Sequence, residues 1–432
     1  MPKEFKLDEI VELPIEVSFH EVNNNILFIA KNNPSWFVTS KIGAVVFNNI
    51  RKRISLREAI KNAILETSID SKKIIEETKD LLWEIEYNDF YAGSTAYAQD
   101  TFPMHTYLTN GCNLTCTHCY RDSGVKALGE LNTLEWIKII DRYSEEVPAS
   151  KISFSGGEPM SRKDFFDIVS YAKQKGHKTE VYSNGTYIKD KEIGKRLAEV
   201  ADEIQISLDG LTPEINDSIR GQNSFKRTIE GINNLADSGL HVSISTVITP
   251  ENENDIAENF ESFTKNYLQN NNVSFRVGKI IKRGRAAKNY QDVGNQDSSM
   301  TKLIGIIDKA EVKDNFYVPR IKKGMKVTSC GFGKAFNVHY DGGVYPCPLT
   351  LPSLLLGNAL ETPFSELMQK LVGSADEISS EKMEECKACD LQYICAGGCR
   401  VKNLQFSGKL TNATCTQEFK QMVYKRLATV IK

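Results

Sequence analysis

Three cysteines just past the first quarter of the chain, Cys112, Cys116 and Cys119, have the spacing CxxxCxxC. Three thiolates are one fewer than the four that usually hold a 4Fe–4S cluster. One iron would then stay open to a chelating ligand, such as the amino and carboxylate groups of S-adenosylmethionine. Three close cysteines would also suit a zinc ion, so the choice between a 4Fe–4S cluster and zinc depends on the surrounding residues.

Glycines and small polar residues follow the next three predicted strands. The segment 156–158, Gly-Gly-Glu, follows the first of them, Ser183 and Asn184 end the next, and Ser207 ends the last. Each stretch taken alone is more simply a turn or a helix cap. In a parallel barrel the carboxyl ends of the strands meet at one rim, so together these residues predict a ligand site beside the cysteines.

These motifs resemble the radical S-adenosylmethionine superfamily, over residues 104–280. The resemblance implies that the three cysteines hold the reactive cluster and that His118 takes a position that is usually aromatic. It also implies S-adenosylmethionine contacts: Tyr120 against the adenine, Gly156, Gly157 and Glu158 at the methionine amino group, Ser183 and Ser207 near the ribose, Asn184 beside them, and Arg220 near the methionine carboxylate.

The other seven cysteines all lie after residue 329 and resemble the motif of the SPASM domain. That domain holds two auxiliary 4Fe–4S clusters, so the resemblance implies three clusters in all. Its connectivity assigns four cysteines to the distal cluster and three to the nearer one. The distal set is Cys386, Cys389, Cys395 and Cys415, and the nearer set is Cys330, Cys347 and Cys399.

A count of the ten cysteines adds a further expectation. Three for the barrel, four for the distal cluster and three for the nearer cluster use them all. The nearer cluster would therefore have an open iron, unless His339, an acidic side chain or water fills it. Because thiolate is the soft ligand that such iron prefers, a cysteine of the substrate is an attractive fourth ligand.

Residues 1–88 are predicted to form a separate module of three strands, 15–20, 25–30 and 35–39, followed by three helices. The third helix is expected to bury Ile74, Ile75, Thr78, Leu81 and Leu82. The module resembles the winged-helix-like leader-recognition domains of enzymes that modify ribosomally made peptides, which implies a leader bound along an exposed strand edge. We take 36–39 as that edge. A DNA-binding winged helix is the alternative, but the second helix has no basic face.

Strands and helices alternate from residue 104 to 280, which predicts a parallel α/β sheet. The six predicted strands are 104–109, 151–154, 179–183, 203–208, 241–248 and 273–278. The helices between them include 133–144, 162–175 and 224–238, the last with Ser224 as its N-cap. Six strand–helix repeats are too few for a closed eight-stranded barrel, so we predict a partial (β/α)6 barrel.

The remaining segments complete the predicted architecture. Residues 89–103 are a linker, 281–329 a bridge with a helix at 299–309, and 330–432 the cluster domain, which closes with a helix at 416–431. Five basic residues between 279 and 288 are interpreted as a solvated loop, with a leader or substrate contact as the alternative.

Composition restricts the function classes. The 432 residues carry a net charge of −2, which implies no nucleic-acid partner. The N-terminal sequence has no signal-peptide pattern, and the sequence contains no apolar run long enough to span a membrane, so we expect a cytoplasmic protein with no membrane partner. Disulfides are not expected in that compartment, and the cysteine spacings favour iron–sulfur clusters.

Taken together, the sequence predicts a radical oxidoreductase that modifies a precursor peptide. The resemblance extends to thioether-forming maturases of the sactionine and ranthipeptide type, with an electron donor such as a flavodoxin or a ferredoxin. Alternatives are carbon–carbon or carbon–oxygen crosslinking, or formylglycine-type oxidation, by the same clusters. A non-enzymatic iron–sulfur or zinc scaffold that binds peptides or DNA is the alternative from another class.

Overall fold

The computed structural model describes residues 5–93, 96–97, 101–269, 272–293, 296–309, 324–349 and 351–429. Parts of the predicted linker and bridge, and the last two residues of the predicted final helix, lie outside these ranges. No helix in the described segments is both long and apolar enough to cross a lipid bilayer.

The strands and helices are numbered in chain order. The strands are β1 Val17–Val22, β2 Asn25–Ala30, β3 Ser35–Thr39, β4 Ala96–Tyr97, β5 Met104–Tyr107, β6 Lys151–Ser155, β7 Lys178–Ser183, β8 Glu203–Ser207, β9 Val242–Ile248, β10 Val273–Lys279, β11 Met325–Lys326, β12 Phe336–Val338, β13 Gly343–Tyr345 and β14 Gly357–Asn358. The helices are α1 Lys41–Ile50, α2 Leu56–Thr67, α3 Ser71–Tyr87, α4 Thr133–Glu146, α5 Phe165–Gln174, α6 Lys191–Val200, α7 Pro213–Arg220, α8 Ser224–Asn234, α9 Glu253–Tyr267, α10 Gly284–Asn289, α11 Gln296–Lys309, α12 Phe364–Glu377, α13 Glu384–Lys387, α14 Gln392–Cys395, α15 Arg400–Ser407 and α16 Gln417–Thr429.

By its contacts the chain divides into two compact units. The module unit contains residues 1–99, 318–330 and 377–432, and the barrel unit contains residues 100–317 and 331–376. These units cut across the predicted domains, since the cluster-domain segment 330–432 contributes to both. The predicted domain boundaries themselves stay a prediction.

The barrel unit is built on one nine-stranded sheet. Strands β5 to β10 pair in parallel and in chain order, with α4 to α9 in the crossovers, as the alternating pattern predicts. The predicted partial α/β barrel is thus confirmed. Beyond it, β12 pairs in parallel with β5, and β13 and β14 continue the sheet in antiparallel fashion. The sheet therefore extends past the six predicted strands.

In the module unit, the antiparallel sheet β1–β2–β3 is covered on both faces. On one face Phe28 and Phe37 pack with α1 and α3 in one core. On the other face Leu27, Ile29 and Trp36 pack against the C-terminal part of the chain, with contacts from Leu391, Ile394, Val423, Tyr424 and Leu427. The Trp36 indole N–H donates to the Leu427 carbonyl at 3.0 Å. The predicted leader module is therefore joined to the C-terminal segment through a shared core.

Three details of the sequence analysis are corrected. Ser224 is the first residue of α8 and not its cap; Asn223 takes that position at φ +59°, and Asp217 accepts the Asn223 and Phe225 N–H groups instead. Ile75 on α3 is 43% exposed. Strand β1 begins two residues later than expected, and Ile15 before it is largely exposed.

Replacing Trp36 by alanine is expected to destabilise the module unit by about 3–5 kcal/mol, because a large buried side chain is lost and the Leu427 carbonyl loses its donor. Trp83 provides the matched control: it is 52% exposed and stacks on Tyr87 at the surface of α3. Urea unfolding followed by circular dichroism would measure both variants. Equal losses for Trp36→Ala and Trp83→Ala would contradict the shared core.

Candidate active site at the barrel rim

The loop that follows the carboxyl end of β5 carries Cys112, Cys116 and Cys119 and is called the cysteine loop below. Backbone hydrogen bonds hold it in place. The Cys112 N–H donates to the Gly124 carbonyl at 2.8 Å, and the Thr117 N–H donates to the Ile219 carbonyl at 2.9 Å. None of the ten cysteines forms a disulfide bond in the structure. Burial raises the pKa of Cys112 to about 11 and also raises that of Cys116. These thiols therefore need a cationic partner before they can be thiolates, and the iron of a bound cluster would supply that charge.

The two glycines after β6 let the chain approach the cysteine loop closely. The Gly157 N–H donates to the Thr109 carbonyl at 2.8 Å, and the Glu158 N–H donates to the Gly111 carbonyl at 2.9 Å. A Cβ atom at Gly157 would lie 2.2 Å from the Gly111 oxygen, and Gly156 has φ +141°. Both positions thus require glycine for backbone packing, a reason that the sequence analysis did not anticipate.

The substitution Gly157→Ala is expected to destabilise the barrel unit by about 1–3 kcal/mol, because backbone and not a flexible side chain opposes the new methyl group. We also expect less iron at the cysteine loop after reconstitution. Gly373→Ala is the control, since a Cβ there meets nothing within 4 Å. Thermal unfolding and an iron assay would be compared. If both variants behave alike, the close approach at Gly157 is not a constraint.

Glu158 connects the ends of β6 and β7. Its fully buried carboxylate accepts hydrogen bonds from the Met160 N–H at 3.1 Å, the Ser183 hydroxyl at 2.9 Å and the Asn184 N–H at 2.7 Å. Burial raises the pKa of Glu158 to about 7. The Asn184 amide donates in turn to the Asn113 side chain, within the cysteine loop, at 2.9 Å. The predicted residues Glu158, Ser183 and Asn184 are therefore brought together beside the cysteines.

Asp209, after β8, holds two more of the predicted residues. Its Oδ2 lies 2.6 Å from His118 Nε2 and forms an ion pair with Arg220, and its Oδ1 accepts the Val247 N–H. Burial alone would raise the pKa of Asp209, but the charges of His118 and Arg220 hold it well below its usual range. Arg220 is buried, and its Nε has no partner among the described residues. A donor so placed beside Cys112 and Cys116 suits the carboxylate that the resemblance implies.

The basic segment after β10 is not simply a solvated loop. The Arg285 N–H donates to the Cys119 carbonyl at 3.0 Å, its Nε donates to the Cys116 carbonyl at 2.9 Å, and its Nη1 pairs with Asp122 at 3.0 Å. The neighbouring Gly284 has φ +54°, and a Cβ there would lie 2.7 Å from the Cys119 oxygen. Arg285 therefore fixes the cysteine loop by hydrogen bonds and an ion pair. Lys288, in contrast, is exposed as predicted.

Two further predicted residues lie on the same rim. Tyr120 lies near Tyr107 at the end of β5, and burial raises the pKa of Tyr120. Ser207 is half-buried at the end of β8 and is paired in register with Ser245. Both positions are compatible with the implied contacts to S-adenosylmethionine.

The later cysteines are described within their own units. In the module unit, Cys386, Cys389, Cys395 and Cys415 line a single pocket. Burial raises the pKa of Cys386 to about 12 and that of Cys395 to about 11. Four converging thiols fit the ligand set of a complete 4Fe–4S cluster. Cys330 and Cys399 lie near each other in this unit, and Cys347 follows β13 in the barrel unit.

Over the described ranges, no three His, Cys, Asp or Glu side chains are placed to share a single metal ion.

Sequence analysis missed several residues that position this site. It does not identify Asp209 or Asn113, and it interprets Arg285 only as one of the five basic residues of a solvated loop. Their partners lie 71 residues away for Asn113, 91 for Asp209 and 169 for Arg285. Local spacing patterns in a sequence do not predict contacts between residues so far apart.

Comparison with known proteins identifies two family models. The model "Radical SAM superfamily" matches residues 106–263, and "Iron-sulfur cluster-binding domain" (SPASM) matches residues 330–390. The mycofactocin maturase MftC of Mycobacterium tuberculosis is 31% identical over 305 residues, 68% of this chain and 76% of that protein. The AdoMet-dependent heme synthase of Nitratidesulfovibrio vulgaris is 28% identical over 331 residues, 70% of this chain and 88% of that enzyme.

Among solved structures, Streptococcus suis SuiB bound to the precursor peptide SuiA matches with a TM-score of 0.56 and 16% identity. The match covers 94% of this chain and 99% of SuiB. A match of that extent cannot leave out the first 88 residues, so the fold that the two proteins share includes most of the strand–helix module.

Proposed function

Because this chain belongs to the radical S-adenosylmethionine superfamily and carries a SPASM domain, we propose that it is a peptide maturase acting on a ribosomally made precursor. The observation that carries the proposal is the module of β1–β3 and α1–α3 on the same chain as a radical-enzyme barrel. SuiB, which shares the fold over 94% of this chain, is itself seen with a precursor peptide, and MftC is named a maturase. Radical chemistry is a property of the whole superfamily. What we propose for this chain is that its substrate is a peptide.

Each rim residue has a proposed role in handling S-adenosylmethionine. Cys112, Cys116 and Cys119 would hold a 4Fe–4S cluster, which when bound supplies the electron that splits S-adenosylmethionine into methionine and a 5′-deoxyadenosyl radical. Arg220 would bind the methionine carboxylate through its Nε, which has no partner among the described residues. The turn at Gly156 and Gly157 would bind the amino group. The remaining contacts would come from Tyr120, Glu158, Ser183, Asn184 and Ser207.

The leader is proposed to bind the module unit along β3. The support for this proposal is that β3 stands at the end of the sheet order β1–β2–β3 and pairs there with β2, and a peptide adds to a sheet at an edge strand. Trp36 and Phe37 are buried and belong to the two cores, so they anchor the strand and do not contact a leader directly. Binding there would tether the rest of the peptide and raise its local concentration at the barrel. An electron donor such as a flavodoxin or a ferredoxin would complete the system.

For the bond formed, we propose a thioether between a cysteine sulfur and a carbon of the peptide. Cys330, Cys347 and Cys399 would give the nearer auxiliary cluster three protein thiolates and leave a position for the peptide cysteine. Carbon–carbon or carbon–oxygen crosslinking and formylglycine-type oxidation remain the alternatives within the same chemistry. The similarity to heme synthases favours one more candidate, a tetrapyrrole substrate.

The test is anaerobic turnover of the reconstituted enzyme with a short peptide encoded next to its gene, S-adenosylmethionine and dithionite. We expect 5′-deoxyadenosine and a peptide that is about 2 Da lighter, because crosslinking removes two hydrogen atoms. A thioether would also make one cysteine resistant to alkylation, and a peptide with that cysteine changed to serine would not be crosslinked. Loss of mass with the thiol still free would favour carbon–carbon coupling. Turnover of a tetrapyrrole but of no peptide would refute the maturase assignment.

A further inference from the structure

Arg400, the residue directly after Cys399, is a fully buried cation at the start of α15. Its guanidinium donates hydrogen bonds of 2.7 to 3.3 Å from Nε, Nη1 and Nη2. The acceptors are the backbone carbonyls of Thr328, Ile378, Ala396 and Gly398. Among the residues that the structure describes, no carboxylate forms an ion pair with this guanidinium. Arg400 is thus a positive charge inside the module unit that is held by carbonyl dipoles.

The backbone around this guanidinium has an uncommon conformation. Ala396, Gly397 and Gly398 are three consecutive residues with positive φ angles, of +53°, +78° and +70°. Such residues usually occur singly, and alanine is disfavoured there because its Cβ approaches the following carbonyl oxygen. A Cβ atom at Gly397 would lie 2.9 Å from Arg400 Nη1. The loop is therefore shaped closely around the guanidinium, with two of its three carbonyls accepting hydrogen bonds from it.

The guanidinium lies directly behind the wall of the pocket that the four cysteines of the distal set share. Gly397, against which it packs, is one of the residues that line this pocket. Thr328, another of its acceptors, stands two residues before Cys330, and Arg400 itself follows Cys399. Cys330 and Cys399 belong to the nearer set. Arg400 therefore connects backbone segments that carry cysteines of both sets.

A buried cation of this kind needs an anion nearby. Transfer of a charge from water into a protein interior is strongly destabilising unless an opposite charge compensates it. The four carbonyl dipoles replace part of the lost hydration, but they carry no net charge. A 4Fe–4S cluster held by cysteine thiolates is a net anion, and cysteines of both sets adjoin the segments that bond to Arg400. The clusters themselves are therefore the anions that fit this position.

We propose that Arg400 is the shared counter-charge of the two auxiliary clusters and the residue that positions the loops carrying their cysteines. The proposal rests on the auxiliary clusters of the proposed function, but not on the identity of the substrate. When a cluster takes up one electron it becomes more negative, and a fixed guanidinium stabilises the added charge. Arg400 therefore raises the reduction potential of these clusters and makes them better electron acceptors.

The test uses the full-length reconstituted chain with Cys112, Cys116 and Cys119 changed to alanine, so that the auxiliary clusters alone give a signal. A redox titration followed by electron paramagnetic resonance compares Arg400→Gln, which removes the charge, with Arg400→Lys, which keeps it. We expect Arg400→Gln to make a cluster about tenfold harder to reduce, a shift of about 59 mV to lower potential for a one-electron couple. Arg400→Lys should keep the potentials of the parent chain. Lys409→Gln, the control, removes an exposed charge just after α15 and should also leave them unchanged.

An iron assay on the same samples separates a lost cluster from a shifted potential. Loss of iron in Arg400→Gln but not in Arg400→Lys would also support the proposal, because the clusters would then need the charge in order to bind. Loss of iron in both variants, or an equal shift in both, would overturn it, since the hydrogen bonds and not the charge would be responsible. Unchanged potentials in Arg400→Gln would overturn the role of Arg400 and leave the auxiliary clusters standing. A parent chain that holds no iron would refute the auxiliary clusters, and this proposal with them.

Discussion

Replacing Cys112, Cys116 and Cys119 together by alanine is expected to lower the iron content from about twelve to about eight per reconstituted chain and to abolish cleavage of S-adenosylmethionine. The three thiols are the only cysteines on the cysteine loop, and the loop is held in place by backbone hydrogen bonds and by Arg285. Removing the thiols should therefore empty one site without unfolding the barrel. Iron assay and chromatography of 5′-deoxyadenosine would measure the two effects.

The control is the triple variant of Cys386, Cys389 and Cys395 in the module unit. It should also lose about four irons, but its barrel site should still cleave S-adenosylmethionine. Cleavage that survives in the Cys112, Cys116 and Cys119 variant would refute the central assignment. An iron content of about eight in the unchanged protein would show that only two clusters are built.

The substitution Asp209→Ala is expected to be the most damaging change away from the cysteines. Removing one partner of a buried ion pair costs about 3–5 kcal/mol, because Arg220 is left buried and uncompensated. His118 and Arg220 would both lose their fixed positions beside the cysteine loop, so binding of S-adenosylmethionine should weaken as well. Chemical unfolding and equilibrium binding would measure the two losses.

The pH dependence of this effect has a definite sign. The pKa of Asp209 is lowered in the folded state, so its stabilisation is complete above the pKa of the unfolded carboxyl and is lost as pH falls through the folded pKa. The gap between wild type and Asp209→Ala should thus be constant near neutral pH and close only in strong acid. Asp122→Ala is the control: that carboxylate is about half exposed, and losing it should cost no more than about 1 kcal/mol. Equal losses for the two variants would contradict the role of Asp209.

The parts of the site that the sequence predicts are those encoded locally. The CxxxCxxC spacing lies within eight residues, and Gly156 to Glu158, Ser183 and Ser207 fall at strand ends that the alternating pattern locates. The structure brings these residues together because parallel strands end at one rim. Asp209, Asn113 and Arg285 were missed because each acts through partners far away in sequence, and polar residues at turns are common for other reasons.

The fold shows the same division between local and distant signals. The run Ile26–Ala30 is apolar without alternation, which is typical of a strand buried on both faces. The sequence therefore indicates that both faces of β2 are buried, but it does not indicate that α16 packs against the second face. The pairing of β12 with β5 was likewise beyond prediction, because the two strands lie more than 200 residues apart and each is only three or four residues long.

The shared core under β2 has a practical consequence for engineering. Grafting residues 1–88 onto a relative that lacks them would carry Leu27, Ile29 and Trp36 into water, since Val423 and Leu427 would stay behind. Exposed strands with that apolar face are prone to aggregate. A chimera that receives the module should therefore also receive α16 and the loop around Leu391 and Ile394. Exchange of the module between such enzymes would then require two distant segments of the gene to be swapped together.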